Sequence, residues 1–156
     1  MGLDNVISYS NNPDNDEHLS EDTILMIHNN VQGLPYLGIN MNLKYHLENK
    51  YIIIPGKAHT KTIELITGFH LYCDHSPESL GKIADSLEKY IDDNEECLDT
   101  ITELIDASYE NMIAIEMYAR TLTRGKTSGF NPEEVKALCQ LFRIMSQNNL
   151  WLNASY

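Results

Sequence analysis

From Ser76 onward the apolar period of this chain is helical, and that change restricts it to folds in which a mainly sheet-forming part is followed by a helical part. Before it, Leu37, Ile39, Met41, Leu43, Tyr45 and Leu47 alternate with Gly38, Asn40, Asn42, Lys44, His46 and Glu48. Such alternation predicts a strand over 37–48 with one buried and one wet face. Glu48, Asn49 and Lys50 then read as a turn, with residues 51–54 returning as a hairpin strand that Pro55 and Gly56 end. A further strand is predicted over 60–73, with Ile63 and Leu65 alternating and Phe69, Leu71 and Cys73 following a slip near Gly68. Residues 3–9 supply a short strand, and 10–17 a polar loop. Ser20 reads as an N-cap with Glu21 and Asp22 in the first turn, ahead of Ile24, Ile27 and Val31 at helical spacing. Gly33 and Pro35 stop that helix, although 23–27 also tolerates a strand.

After Ser76 the signals are helical. Ser76 caps, Pro77 takes the first helical position, Glu78 complements the dipole, and Leu80, Ile83, Leu87 and Tyr90 form one face. A second helix is predicted over 94–123, where Leu98, Ile101, Ile105, Ser108, Met112, Ile115, Ala119 and Leu122 keep a 3,4 spacing. It would run about 45 Å at 1.5 Å per residue, long enough to cross or leave a domain of this size. A seam over 98–122 that leaves its domain is expected to pair with a second copy, making a homodimer. Asn131, Pro132, Glu133 and Glu134 repeat the helix start, and Val135, Leu138, Phe142 and Met145 form the last apolar stripe. The expected fold is therefore α+β, one domain over 1–156. Residues 1–75 are mainly β, an antiparallel sheet of three or four strands with one short helix; residues 76–150 hold a long helical hairpin and a third helix.

Charge narrows function by exclusion. The chain carries 23 acidic and 11 basic residues, a formal charge of −12, with a pI near 4.7. That balance argues against direct binding to a phosphate backbone and favours a basic protein partner. Of the twelve net negative charges, ten fall in 85–116, where eleven acids meet one base, Lys89. Glu96, Asp99, Glu103, Asp106 and Glu110 lie at spacings of 3, 4, 3 and 4, opposite the seam, and none has a basic residue four positions later. Like charges at that spacing cost about 0.2–0.5 kcal/mol per pair. A solvated outer face explains the stripe simply; a row of carboxylates offered to a basic surface explains it functionally.

Three cysteines, Cys73, Cys97 and Cys139, are too few for a disulfide scaffold and fit reduced thiols in a cytoplasm. No signal peptide is legible, and the longest strongly apolar run, 51–54, is far too short to span a bilayer, so no membrane role is expected. Fifteen asparagines suit an A+T-rich coding genome, such as that of a virus or mobile element.

Three functional readings follow, in order. The first is a non-enzymatic acidic protein that binds and inhibits a basic partner, as immunity or anti-defence proteins do, through Glu96, Asp99, Glu103, Asp106 and Glu110. The second is a dimeric binder of an anionic or nucleotide ligand, using the wet strand face Asn40, Asn42, Lys44 and His46 with Arg120 and Arg124. The third is a hydrolase using His59, His70 and Asp74, or a metal site drawn from His59, His70, Cys73 and His75, residue types that ligate zinc but at a spacing that matches no common zinc pattern. No cofactor is expected. Gly125-Lys126-Thr127 lacks the upstream glycine and strand of a phosphate-binding loop.

Overall fold

The computed structural model describes residues 2–11, 18–40, 42–94 and 131–155. Their architecture is α+β: a three-stranded antiparallel sheet with helices packed on it. Strand β1 (Asp4–Ser8) is central, between β2 (Ile53–Ile54) and β3 (Trp151–Ser155). It pairs along its whole length with β3, from Asp4 opposite Ser155 to Ser8 opposite Trp151. Against β2 it pairs only at Asn5–Ile54 and Val6–Ile53. Leu3, Asn5 and Ile7 are buried in turn, so one face of β1 lies on the helical layer while Asp4 stays outside.

The helices start where local chemistry says they should. In α1 (Glu21–Asn30) the Ser20 side chain accepts from the Thr23 amide, and Ile24 and Ile27 are buried. Helix α4 (Pro77–Asp93) begins with the Ser76 side chain accepting from the Ser79 amide and buries Leu80, Ile83, Ala84 and Leu87. Helix α5 (Pro132–Gln147) begins with Asn131 accepting from the Glu133 amide and buries Val135, Leu138, Leu141, Phe142 and Met145. Helices α4 and α5 share the most extensive contact between described elements. Arg143 ties their edge together, donating to Asp85 and Glu88 at 2.7 Å each. Below them Cys139 packs as a neutral thiol: burial pushes it up to about 11, and it donates to the Ala84 carbonyl at 3.6 Å.

Three expectations for the first half are corrected. The strand predicted over 37–48 does not form. Residues Leu34–Leu37 make a 3-10 turn, and α2 (Leu43–Asn49) follows. Gly38, the first polar position of the alternation, has φ 70, a left-handed conformation that a regular strand does not contain. The Asn42 side chain then accepts from the Tyr45 amide as an N-cap, and Leu43 and Leu47, four apart, lie on one helical face. Over 60–73 the predicted strand is also absent. Helix α3 (Gly56–Thr67) occupies that region, burying His59, Thr60, Thr62 and Ile63. The β-branched residues read as strand formers, but the spacing of His59, Ile63 and Ile66 is helical, and the supposed slip at Gly68 is a helix end, with φ 81 and its N–H on the Glu64 carbonyl. Helix thus outweighs strand before Ser76, and of the three strands of the sheet two, β1 and β2, lie in this half. The third strand, β3, was unforeseen, because residues 151–155 hold no alternation and need β1 as partner.

The long helix expected over 94–123, its seam and its acidic stripe lie outside the described residues. Among those described, no helix is long and apolar enough to cross a membrane.

Candidate functional site: a polar cleft beside helix α2

Helix α2 is short, and both its ends are set by single residues. Asn40 prepares the start: its side-chain oxygen accepts from the Asn42 amide at 2.8 Å, and Asn42 in turn caps the helix. Lys50 ends it at φ 59, with its N–H on the His46 carbonyl at 2.7 Å. The chain then turns through Tyr51 into β2. This path leaves a cleft of about 310 Å³ between α2, the outer face of the sheet edge and the loop after the 3-10 turn. Asp4, Gly38, Asn40, Tyr45, His46, Tyr51, Ile53 and Pro55 line it. Glycine is required at position 38 twice over, since φ is positive and a Cβ there would come within 2.7 Å of the Pro55 ring.

His46 forms the inner wall and is 3% exposed. Its Nδ1 lies 2.7 Å from Nε2 of His28 on α1, a separation at which one imidazole donates and the other accepts. The rings are tilted, with centroids 4.9 Å apart. Burial holds both imidazoles below the usual histidine range, and for His46 the neighbouring His28 adds to the effect. Burial thus disfavours the charged form of both rings, in keeping with one imidazole donating to the other. The contact with His28 engages Nδ1 and leaves Nε2 as the other ring nitrogen of His46. Tyr45 meets the His46 ring edge-on at 5.7 Å. The Tyr51 hydroxyl is held above the usual tyrosine range, chiefly by a hydrogen bond with Tyr45. The lining thus brings together two phenols, an imidazole, a carboxylate and an amide.

The sequence-based candidates are partly gathered here. Asn40 and His46 line the cleft; Asn42 and Lys44 do not. Asn42 is spent as a cap, and Lys44 is exposed, 3.9 Å from Glu48. The wet strand face expected to hold all four does not exist, and His46 is buried where a wet residue was expected. Arg120 and Arg124 lie outside the described residues, as do Glu96, Asp99, Glu103, Asp106 and Glu110. Asp4, Tyr45 and Tyr51 were not anticipated. Their only signal was two tyrosines flanking the turn at 48–50, and Tyr45 had been assigned to a buried face.

Of the histidine and cysteine candidates, His59 and His75 serve as fasteners. His59 on α3 places Nδ1 3.0 Å from Glu134 Oε1 and Nε2 3.1 Å from the Leu37 carbonyl. His75 places Nε2 2.6 Å from the His70 carbonyl and Nδ1 2.8 Å from the Ser79 hydroxyl. Its backbone exchanges both hydrogen bonds with Leu152, fastening the 68–75 loop to β3. Asp74 accepts from the Ala154 amide at 2.8 Å. His70 is exposed and lies on no strand, its Nδ1 accepting from the Tyr72 amide. Cys73 is exposed and 3.7 Å from His75 Nε2. Among the described residues no three His, Cys, Asp or Glu side chains converge as metal ligands would.

Comparison of the chain with protein-family models, with curated proteins and with solved structures finds no match to any of them.

Proposed function

We propose that this protein is a non-enzymatic binding protein that takes a small polar ligand in the cleft beside α2. The observation that carries this reading is the convergence of Asp4, Asn40, Tyr45, His46 and Tyr51 on one concavity. Hydrogen-bonding groups in a preformed hollow are what small-molecule sites share, and a volume near 310 Å³ stands at the lower end of their range of about 300–1,000 Å³. Caps, a left-handed glycine and two paired rings already fix the walls, so little ordering cost falls on binding. The lining suits orientation by hydrogen bonds: phenols donate or accept, the amide does both, and a neutral imidazole offers one of either.

The test is an NMR titration of the protein with a panel of polar metabolites. Saturable shifts are expected in the amides of Asn40, Tyr45, His46 and Ile53. Tyr51→Ala should weaken the responsible ligand about tenfold, the equivalent of one hydrogen bond and part of an aromatic contact. If no compound moves those amides at millimolar concentration, the cleft is not a ligand site.

The acidic surface supports a second reading, binding and inhibition of a basic protein. On α4, Asp85, Glu88, Asp92 and Asp93 are all exposed, and they begin the stretch that holds ten of the twelve net negative charges. Electrostatic steering by such a surface acts on the association rate. Charge reversal at Glu103 and Asp106 should slow association with a basic partner and flatten its salt dependence; an unchanged on-rate removes the stripe from the mechanism.

A further inference from the structure

We infer that the cleft recognises a positively charged nitrogen, the ammonium or guanidinium head of an amine, with Asp4 as counter-charge and Tyr45 and Tyr51 as the aromatic wall. This inference rests on the cleft being a ligand site and adds the chemical class.

Four observations lead to it. Asp4 is the one formally charged group at neutral pH among the residues lining the cleft, and it forms no ion pair among the described residues. An anion would face that carboxylate with no cation in the lining to offset it. A neutral ligand would cover the carboxylate and strip its water without supplying a partner. A cation does neither.

The two phenols come next. Tyr45 and Tyr51 are 40% and 37% exposed although they line a concavity, so ring surface stays available to a ligand. Aromatic faces attract ammonium and guanidinium through their quadrupole, and a carboxylate beside aromatic rings is a recurrent solution for such ligands.

The third observation concerns the positive groups that could spoil the site. Lys44 is turned to Glu48, with its side chain 83% exposed, and is absent from the lining. His46, the one lining group that could become cationic, shares its Nδ1 with a second imidazole at 2.7 Å and is almost fully buried. Among the described residues, the charge that the lining itself carries at neutral pH is therefore the Asp4 carboxylate.

Last, the net charge of −12 raises the local concentration of cations around the whole protein. The modest volume favours a compact head group over a nucleotide, whose phosphates would in any case meet Asp4.

The head group has two sources, a free amine or the side chain of a basic protein, and one set of titrations separates them. The probes are 1,4-diaminobutane, L-arginine and choline as free cations, a lysine-rich decapeptide for the protein source, and inorganic phosphate, adenosine monophosphate and glycerol as anionic and neutral controls. Calorimetry gives affinity, and the amides of Asn40, Tyr45, His46 and Ile53 report location. At least one cation is expected to bind in the cleft, ten or more times more tightly than any control. Raising salt from 50 to 500 mM should weaken it several-fold. Asp4→Asn, at an exposed strand position, should weaken the cation at least tenfold without altering the response to glycerol. Tyr51→Leu should also weaken it, which keeps the test decisive if Asp4→Asn does not fold. Peptide binding with weak free-amine binding assigns the cation to a protein partner; comparable binding assigns it to a metabolite; either supports the inference. Cleft shifts with phosphate or glycerol but not with cations overturn the inference and leave the binding reading standing. No cleft shifts with any probe overturn both. Cation binding unchanged by Asp4→Asn and by Tyr51→Leu also overturns it.

Discussion

Gly56→Ala should lower the unfolding free energy by about 3 kcal/mol, the upper part of the usual cost of forcing an extra methyl into a packed interior. Gly56 opens α3 at the point where that helix closes on β1. A Cβ built there would stand 1.7 Å from Asn5 Oδ1 and 2.9 Å from its Cγ, separations that no rotation of a methyl relieves. Asn5 has nowhere to go: it is fully buried, and its Nδ2 donates to the Leu71 carbonyl at 2.9 Å. Shifting it breaks that bond and loosens the 68–75 loop from the sheet. For a chain of this length the loss corresponds to a fall of roughly 6–12 °C in Tm. Urea unfolding of Gly56→Ala, Asn5→Ala and the double variant would measure it. The double variant should be more stable than the sum of the two losses predicts, because the second substitution removes the atom that clashes. A midpoint for Gly56→Ala equal to the wild type's would refute the close approach.

His59→Phe should cost about 2–4 kcal/mol, since removing one member of a buried hydrogen-bonded set leaves the others desolvated and unpaired. His59 is 3% exposed and bridges three elements: α3, which carries it; the 3-10 turn, through the Leu37 carbonyl; and α5, through Glu134. Glu134 lies in the first turn of α5, where the helix dipole already favours a carboxylate, and its side chain is 16% exposed. It therefore recovers some hydration when the imidazole is lost; the Leu37 carbonyl, on a fully buried residue, recovers less. Glu134→Gln should cost less than His59→Phe, because the side-chain amide can meet His59 Nδ1 with its oxygen or its NH2 and the bond to the Leu37 carbonyl is kept. Denaturant unfolding distinguishes the cases, and a loss for His59→Phe below about 1 kcal/mol would mean that this bridge contributes nothing beyond its packing.

Both predictions concern residues that the sequence marked for other reasons or not at all. His59 stood out as a ligand type, and nothing in its neighbours indicated Glu134, 75 positions away. Gly56 was read as the end of a strand. It is in fact the first residue of a helix, because Pro55 and Gly56 serve equally well to stop one element and to start the next. The alternation at 37–48 misled for a similar reason. A period of two and a helical pair four apart share the positions of Leu43 and Leu47, and only the backbone at Gly38 separates the two interpretations.

The cleft was half legible. Asn40 and His46 were picked out together, but as neighbours on a flat, wet strand. They meet instead across a capped helix start, with the imidazole buried against His28 from another helix. Asp4 and Tyr51 join them through the β1–β2 pairing and the turn after α2, contacts with no local signature.

What residues say about their immediate neighbours held. Ser20, Ser76 and Asn131 cap helices with the side-chain bonds their positions imply, and the apolar stripes of α4 and α5 face the core. A cap is settled within four residues, and an amphipathic stripe needs only some apolar surface to meet, so neither depends on which surface that is. The three-stranded sheet, the burial of His46 and the shape of the cleft each required partners distant in the chain. Their free energy comes from contacts that exist only once the whole has closed, and those contacts chose helix over strand wherever the local pattern allowed both.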